Sequence, residues 1–191
     1  MNDIDCIVFA GGKSSRMGRD KALLPFGGYD TLSEFQLKRL EPMFHRVYIS
    51  AKNKDKFPME VPLIPDPEGA EFAPTAGFVS VFQMLDVERI MVLSVDTPFI
   101  DETVFTALLD EDKDDLDAVI AQTASGTHPM CGIYHRSLLE EFERMLREGD
   151  HRLGKLLHAS NTRYVMFDDE TPFANLNHPH EYQEALSRFF G

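Results

Sequence analysis

Short apolar runs alternate along this chain with stretches in which apolar residues recur every three or four positions. One run, 89–95, is almost continuously apolar and is typical of a strand that is covered on both faces in a parallel sheet. The helical spacing is clearest in the set Phe78, Val81, Phe82 and Leu85. This alternation predicts an α/β fold with three layers, α/β/α, around a mainly parallel central sheet.

Local signals predict where the individual elements begin and end. Capping boxes, in which a hydroxyl residue precedes a glutamate by three positions, predict helix starts at Thr31 and at Ser137. Gly149 is placed to end the second of these helices, and a turn is predicted at 126–129. The last helix is expected to begin at Pro179. The predicted strands are 7–9, 46–50, 61–64, 89–95, 116–121, 130–134 and 163–167.

Length, charge and composition narrow the class of protein. The 191 residues suffice for one α/β domain, and the absence of a composition break predicts a single domain over 1–191. The net charge of −13 argues against non-specific binding to nucleic acid or to an anionic membrane. No apolar run approaches the roughly 18 residues of a membrane span. The well-separated Cys6 and Cys131 are expected to be reduced core residues of a cytoplasmic protein.

The segment from Cys6 to Gly28 holds the strongest chemical signal in the sequence. Its strand ends at three small residues, 10–12, and four cations follow within nine positions: Lys13, Arg16, Arg19 and Lys21. Small residues let backbone N–H groups approach an anion closely, so the segment predicts a phosphate-binding loop at the carboxyl end of the first strand. A Walker A loop is excluded because position 7 is isoleucine, and G-x-G-x-x-G is excluded because Gly11 and Gly12 are adjacent.

Two carboxylates follow predicted strands and are therefore expected near the same edge of the sheet. Asp96 follows the run 89–95, where a carboxylate is costly unless it holds a metal ion or a partner. Mg2+ bound by one or two carboxylates plus substrate phosphates would meet that need, and the alternative is that Asp96 caps a turn before Pro98. Asp66 lies between two prolines, a pattern equally consistent with a functional residue and with ordinary turn chemistry.

The pattern AGG-x-S-x-R-M-G-x-D-K at 10–21 resembles the signature loop of the molybdenum cofactor guanylyltransferase (MobA) family. Its members have the nucleotide-diphospho-sugar transferase fold, which is Rossmann-like. Three later segments follow in the family's order: 94–99 resembles its C-D-x-P motif, 128–134 its H-P-x-x-G-L-Y segment and 175–179 its N-x-N-T-P motif. The resemblance therefore covers nearly the whole chain.

This resemblance implies two adjoining substrate sites. The residues implied to bind GTP are Phe9, Ala10, Gly11, Gly12, Lys21, Ser50, Asp66 and Asp96. The implied catalytic residues are Arg16 and Lys21, which neutralise phosphate charge, and Asp96, which holds Mg2+. The acceptor is implied to meet Asn175, Asn177 and the more loosely aligned Arg152, with the 128–134 segment as a wall of its pocket. Ser50 replaces the asparagine common in the family, so guanine selection is expected to depend on backbone groups of 9–11.

The implied reaction transfers GMP from GTP to the phosphate of molybdopterin-bound molybdenum cofactor, giving molybdopterin guanine dinucleotide and pyrophosphate. That phosphate is already ionised at pH 7, so positioning and charge neutralisation are expected to dominate catalysis. One alternative is a cytidylyltransferase acting on molybdopterin or a sugar-like phosphate, and another is a non-catalytic nucleotide sensor or cofactor carrier. A cytoplasmic location and transient contact with molybdoenzymes or their chaperones are also expected, whereas the sequence carries no signal for the oligomeric state.

Overall fold

Seven strands form one mixed sheet in the computed structural model, which describes residues 2–11, 20–52, 55–67 and 73–190. The strands are β1 (Asp5–Phe9), β2 (Val47–Ala51), β3 (Leu63–Pro65), β4 (Arg89–Ser94), β5 (Ala118–Thr123), β6 (Gly126–His135) and β7 (Thr162–Met166). They lie in the order β3-β2-β1-β4-β6-β5-β7, and only β6 runs antiparallel to its neighbours among these described strands. The predicted α/β fold with a mainly parallel sheet is confirmed.

Helices within the same ranges cover both faces of this sheet. They are α1 (Leu32–Leu40), α2 (Pro74–Met84), α3 (Glu102–Asp110), α4 (Leu139–Glu148), α5 (Leu153–Ala159) and α6 (Pro179–Phe190). Helices α1, α3 and α6 pack into one hydrophobic core, and α2, α4 and α5 pack into another. Alternate residues of a strand point to opposite faces, so β1 contributes Cys6 and Val8 to the first core and Ile7 and Phe9 to the second. The predicted three layers are therefore present.

None of the helices in the described part of the chain has both the length and the apolar character needed to cross a bilayer.

The turn predicted at 126–129 is wrong. These residues begin β6, and the turn lies before them at Ala124 and Ser125. The glycine and proline that suggested a turn are accommodated differently: Gly126 has a φ of 137°, and Pro129 lies where the pairing of β5 with β6 is interrupted. Because β6 is antiparallel, its first residues lie at the edge of the sheet where the parallel strands end.

The helix start predicted at Ser137 is also wrong, whereas the one at Thr31 is confirmed. The Thr31 hydroxyl oxygen accepts the backbone N–H of Glu34 at 3.0 Å. Ser137 instead lies in a 3-10 turn, where its hydroxyl donates to Asp117 at 2.7 Å, and α4 begins two residues later. The helix still ends as predicted, at Gly149 with a φ of 65°.

A charged cluster lies at the amino end of β4. The Asp112 side chain is fully buried, its carboxylate lies 2.8 Å from His135 Nε2, and it also accepts a hydrogen bond from Arg89. Burial raises the pKa of Asp112, but the hydrogen bonds and charges of His135 and Arg89 outweigh it and leave the pKa below its usual value. A carboxyl with a lowered folded pKa stabilises the protein above the unfolded pKa of about 3.9, and that contribution is lost as the pH falls through the folded pKa.

We expect Asp112→Asn to lower the free energy of unfolding at pH 7 by about 1–3 kcal/mol, because the partly exposed Arg89 guanidinium and the buried His135 imidazole lose a charged acceptor. The difference between wild type and variant should begin to shrink below about pH 4, where the unfolded chain takes up the proton, and should be lost as the pH falls through the lowered folded pKa of Asp112. Urea unfolding over a pH series measures both effects. Asp114→Asn, at a neighbouring exposed position, is the control. An equal loss in the free energy of unfolding in the two variants would contradict the stabilising role of the Asp112 cluster.

Candidate active site

Two cavities open where the carboxyl ends of the parallel strands meet the first residues of β6. The first cavity is lined by Phe9, Gly11, Ser50, Asp66, Ala73, Pro74, Ser94 and Met130. The second cavity is lined by Ser94, Asp96, Thr97, Thr127, His128, Pro129, Met130, Cys131, Phe173, Asn175 and Asn177. Ser94 and Met130 line both, so the two cavities adjoin at the end of β4.

The floor of the first cavity depends on a missing side chain in α2. Ser50, at the end of β2, is 2% exposed, and the Phe9 ring packs 4.8 Å from the ring of Phe78. A Cβ atom on Gly77 would lie 2.5 Å from Ser50 Oγ and 2.6 Å from Phe9 Cε1. The helix can therefore approach these two residues only because position 77 is glycine.

The side chain of Asp66, in the turn after β3, also lines this cavity. Its carboxylate accepts a hydrogen bond from the Ser50 hydroxyl, and Oδ2 lies 4.0 Å from where a Cβ on Gly11 would stand. Burial raises the pKa of Asp66, while the Ser50 hydrogen bond and the charges of Lys52 and Lys56 oppose that rise. The structure thus brings Phe9, Gly11, Ser50 and Asp66 together as the resemblance implies.

Asp96 has a cationic partner that the sequence does not reveal. Lys21 Nζ donates to Asp96 Oδ2 at 2.8 Å and to Asn177 Oδ1 at 2.6 Å, and Ser94 Oγ donates to Asp96 Oδ1 at 2.5 Å. The side chains of Lys21 and Asp96 are only 15% and 16% exposed. Lys21 therefore supplies a partner that offsets the charge of Asp96, and the metal-binding role expected of Asp96 stays a prediction.

The turn after β4 does not depend on the Asp96 side chain. The Ser94 carbonyl closes it by accepting the Thr97 hydroxyl at 2.9 Å and the Thr97 N–H at 3.3 Å. The Asp96 carboxylate is left to face Lys21 and the second cavity. Its described contacts accordingly favour a functional role over that of a turn cap.

Sequence comparison shows which family this arrangement belongs to. Residues 6–164 match the family described as the MobA-like NTP transferase domain. This chain belongs to that family. It is 35% identical over 188 residues to the molybdenum cofactor guanylyltransferase of Campylobacter jejuni, covering 98% of this chain and 97% of that protein. It is 30% identical over 191 residues to the enzyme of the same name from Helicobacter pylori, covering 97% and 90%.

A solved structure shows the same fold. The molybdopterin-guanine dinucleotide biosynthesis protein A of Archaeoglobus fulgidus superimposes on this chain with a TM-score of 0.83 at 22% identity, covering 97% of this chain and 98% of that one. The nucleotide-diphospho-sugar transferase-like architecture expected from the sequence is thereby confirmed, and the chain is a nucleotidyltransferase by its family.

Within this MobA-like site, most of the residues expected from the sequence lie together, and one does not. Asn175 and Asn177 line the second cavity, and Asn177 is bound to Lys21. Arg152 lines neither cavity: its side chain is 71% exposed and pairs with Asp150 at 2.7 Å. Two further expected residues, Gly12 and Arg16, lie outside the described residues.

Lys56 is a cation of the MobA-like site that no local pattern singles out. Its Nζ donates to the carbonyl oxygen of Ala10 at 2.7 Å and to Asp20 Oδ2 at 3.0 Å. Asp20 Oδ1 in turn accepts the N–H of Ala22 at 3.0 Å, capping the 3-10 turn that carries Lys21. In the sequence, Lys56 belongs to a polar run that is typical of a solvated loop, and only the fold brings it beside the end of β1.

His128 and Phe173 form an aromatic wall of the second cavity. Their rings stack with centroids 4.5 Å apart, and His128 Nε2 lies 3.0 Å from Thr123 Oγ1. Burial lowers the pKa of His128, so the imidazole is neutral at pH 7. A flat, uncharged wall beside the amides of Asn175 and Asn177 suits a heterocycle that offers hydrogen-bonding groups at its edge.

Membership of this nucleotidyltransferase family implies a divalent metal ion. The described residues contain no group of three or more His, Cys, Asp or Glu that could hold one. A hard cation that takes one protein carboxylate and completes its shell with phosphate and water oxygens would fit this donor set, in which Asp96 is the carboxylate that lines the second cavity. The cation would compete with Lys21 for the same oxygen atoms.

We expect Gly77→Ala to lower the free energy of unfolding by about 1–3 kcal/mol and to weaken nucleotide binding, because the added methyl group would displace Ser50 or Phe9. Urea unfolding and calorimetric titration with GTP measure the two effects. Gly154→Ala is the matched control: position 154 also lies in a helix, but nothing stands within 4 Å of the added Cβ. Gly154→Ala should leave the free energy of unfolding unchanged or raise it by up to about 1 kcal/mol. Equal losses of stability in the two variants would contradict the steric explanation.

Proposed function

We propose that this chain transfers GMP from GTP to the phosphate of molybdopterin-bound molybdenum cofactor, releasing pyrophosphate. The observation that carries the proposal is the Lys21–Asp96 pair: Asp96 lines the second cavity and accepts a hydrogen bond from Ser94, which lines both cavities. The chain also matches proteins named molybdenum cofactor guanylyltransferase over nearly its full length. The two cavities then hold the nucleotide and the acceptor, and the reaction takes place between them.

The first cavity is the proposed nucleoside site. The Ser50 hydroxyl is directed at Asp66, which leaves the remaining lone pairs of that carboxylate to accept N–H or O–H groups of the nucleoside. Gly11 has no side chain that would block an approach along the end of β1. Ser50 and Asp66 together therefore offer acceptors at the floor of the cavity, while the phosphates extend toward Lys21.

The second cavity is the proposed acceptor site. The flat face of the His128–Phe173 stack and the amides of Asn175 and Asn177 suit a heterocycle that carries hydrogen-bonding groups. Because Asn177 is bound to Lys21, an acceptor that engages this asparagine also lies beside the ammonium group. The acceptor phosphate is thereby directed to the junction.

Catalysis in this proposal consists of positioning and charge neutralisation. An oxygen of the acceptor phosphate attacks the α-phosphorus of GTP, a new P–O bond forms, and the bond to pyrophosphate breaks. The attacking oxygen is already ionised at pH 7, so Lys21 acts by holding phosphate charge and needs no base beside it. Mg2+ held by Asp96 would supply further charge neutralisation at the triphosphate. Arg16 is proposed to act with Lys21.

The proposal also includes a cytoplasmic site of action and transient contact with molybdoenzymes or their chaperones, which would receive the product.

A direct assay tests the proposed reaction. The purified protein is incubated with Mg2+, molybdenum cofactor and each α-labelled nucleoside triphosphate in turn, and pyrophosphate and labelled dinucleotide are measured. We expect both products with GTP and little with CTP or ATP. Equal turnover with CTP would favour the cytidylyltransferase alternative that Ser50 raises. Nucleotide binding without pyrophosphate release from any of them would favour a non-catalytic carrier.

We expect Asp96→Asn to lower turnover by about 100-fold or more, because the site loses the carboxylate that would hold the metal ion at the triphosphate. It should also lower the free energy of unfolding by about 1–3 kcal/mol, since Lys21 loses its charged acceptor. Steady-state kinetics over a Mg2+ series and urea unfolding on the same preparation measure both.

The matched control is Asp101→Asn, which makes the same change of charge five residues away. Asp101 caps α3 by accepting the N–H groups of Thr103 and Val104 at 3.0 and 3.2 Å, a role that asparagine can fill. Its activity and stability should stay close to wild type. Full activity in Asp96→Asn would refute the assigned role of Asp96.

A further inference from the structure

Two polar side chains of α1 hold the segment 94–100, here called the Asp96 loop. Gln36 is completely buried, and its Nε2 donates to the carbonyl oxygen of Val95 at 3.0 Å and lies 3.5 Å from that of Ser94. Arg39, one turn further along α1, donates from Nη1 to the carbonyl oxygen of Ile100 at 2.6 Å. The helix therefore binds this loop at both of its ends.

The two side chains also bind each other. Arg39 Nε donates to Gln36 Oε1 at 2.7 Å. With its oxygen occupied by this donor, the Gln36 amide has only its NH2 group to turn toward the carbonyl groups of Ser94 and Val95. Arg39 thus sets the orientation in which Gln36 contacts the loop.

This network is costly for the core in which it lies. Gln36 lies between Phe35 and Leu37 in a helix whose buried face is otherwise largely apolar. Burial lowers the pKa of Arg39 to about 10, and Arg39 Nη2 is buried with no hydrogen-bond partner in the described part of the chain. Apolar residues of similar volume often replace such buried polar groups without loss of stability, so stability alone does not account for the pair.

The peptide groups of the Asp96 loop are tied to three different elements. The N–H of Val95 donates to the carbonyl oxygen of Phe9 at 3.0 Å, which connects the loop to β1 and the first cavity. The carbonyl oxygen of Asp96 accepts the N–H of Leu176 at 2.9 Å, which connects it to the segment beside the second cavity. The carbonyl oxygen of Val95, between these two, is the group that Gln36 binds.

We propose that Gln36 and Arg39 are positioning residues that fix the peptide groups next to Asp96 and so aim its carboxylate at the junction of the two cavities. The inference rests on the proposed role of Asp96 in holding a divalent cation. Without Gln36, the buried carbonyl of Val95 loses its donor and the loop is free to rotate that peptide. The Asp96 carboxylate then departs from the position beside Lys21 in which it would hold the cation.

The test compares Gln36→Met, which removes both hydrogen-bonding groups at similar volume, with Gln36→Glu, which keeps the acceptor for Arg39 and loses the donor to the loop. Leu40→Ala is the matched control, since Leu40 is fully buried on the same helix and makes no side-chain hydrogen bond. Three properties are measured per folded molecule: kcat and KM for GTP, Mn2+ affinity in the presence of GTP by electron paramagnetic resonance, and hydrogen exchange of 94–97.

Both Gln36 variants should weaken Mn2+ binding and lower kcat by about tenfold or more, with a smaller change in KM for GTP and faster exchange in 94–97. Leu40→Ala should lower the melting temperature and leave Mn2+ affinity and kcat at wild-type values. If Gln36 served only stability, loss of activity would follow loss of folded protein in every variant. The Gln36 variants would then not differ from Leu40→Ala in Mn2+ affinity or kcat per folded molecule.

Asp96→Asn separates failure of this inference from failure of the proposed function. If Asp96→Asn binds Mn2+ as tightly as wild type, Asp96 does not hold the metal ion, and the positioning role of Gln36 and Arg39 is refuted as well. If it loses Mn2+ while a folded Gln36 variant keeps wild-type Mn2+ affinity and kcat, the positioning role is overturned and the role of Asp96 stands. Should Gln36→Met not fold, Gln36→Glu gives the same comparison.

Discussion

The ion pair between Lys21 and Asp96 is the contact on which the rest of the site depends. It joins three segments that are far apart in the sequence: the 3-10 turn at Lys21–Leu23, the end of β4 and, through Asn177, the segment before α6. Its length of 2.8 Å and its limited exposure give it more weight than a pair at the surface would have. Asp96 lines the second cavity, and its hydrogen bond from Ser94 connects the pair to the place where the two cavities adjoin.

Opposite charges also hold Lys56, a second cation among the described residues of the site. Lys56 is bound to Asp20 and to the carbonyl oxygen of Ala10, as Lys21 is bound to Asp96 and Asn177. In a chain with a net charge of −13, a binding site for polyphosphate needs local positive charge whose position is set in advance. Each carboxylate keeps an ammonium group in place, and an arriving phosphate can compete for it without a large rearrangement of the backbone.

The packing of the strands and helices fixes where these charged groups lie. The parallel strands end at one edge, and antiparallel β6 brings His128 and Met130 to that edge from the opposite direction. Gly77 lets α2 approach Ser50 and Phe9 from one face of the sheet, while Gln36 on α1 binds the Asp96 loop from the other. Both faces of the sheet therefore contribute to the geometry of a site that lies at its edge.

Much of this could be predicted from the sequence alone, because the signals concerned are local. Hydrophobic periodicity depends on neighbouring residues, so it located the strands and helices and the carboxyl edge at which Phe9, Ser50, Asp66 and Asp96 lie. Contacts between distant residues left no such signal: Lys21 with Asp96, Lys56 with Asp20, and Gln36 with Val95. Gly126 and Pro129 misled because strand pairing outweighed their local preference for a turn. Only the tertiary structure decided whether Asp96 was unpaired, since the cation that neutralises it is 75 positions away.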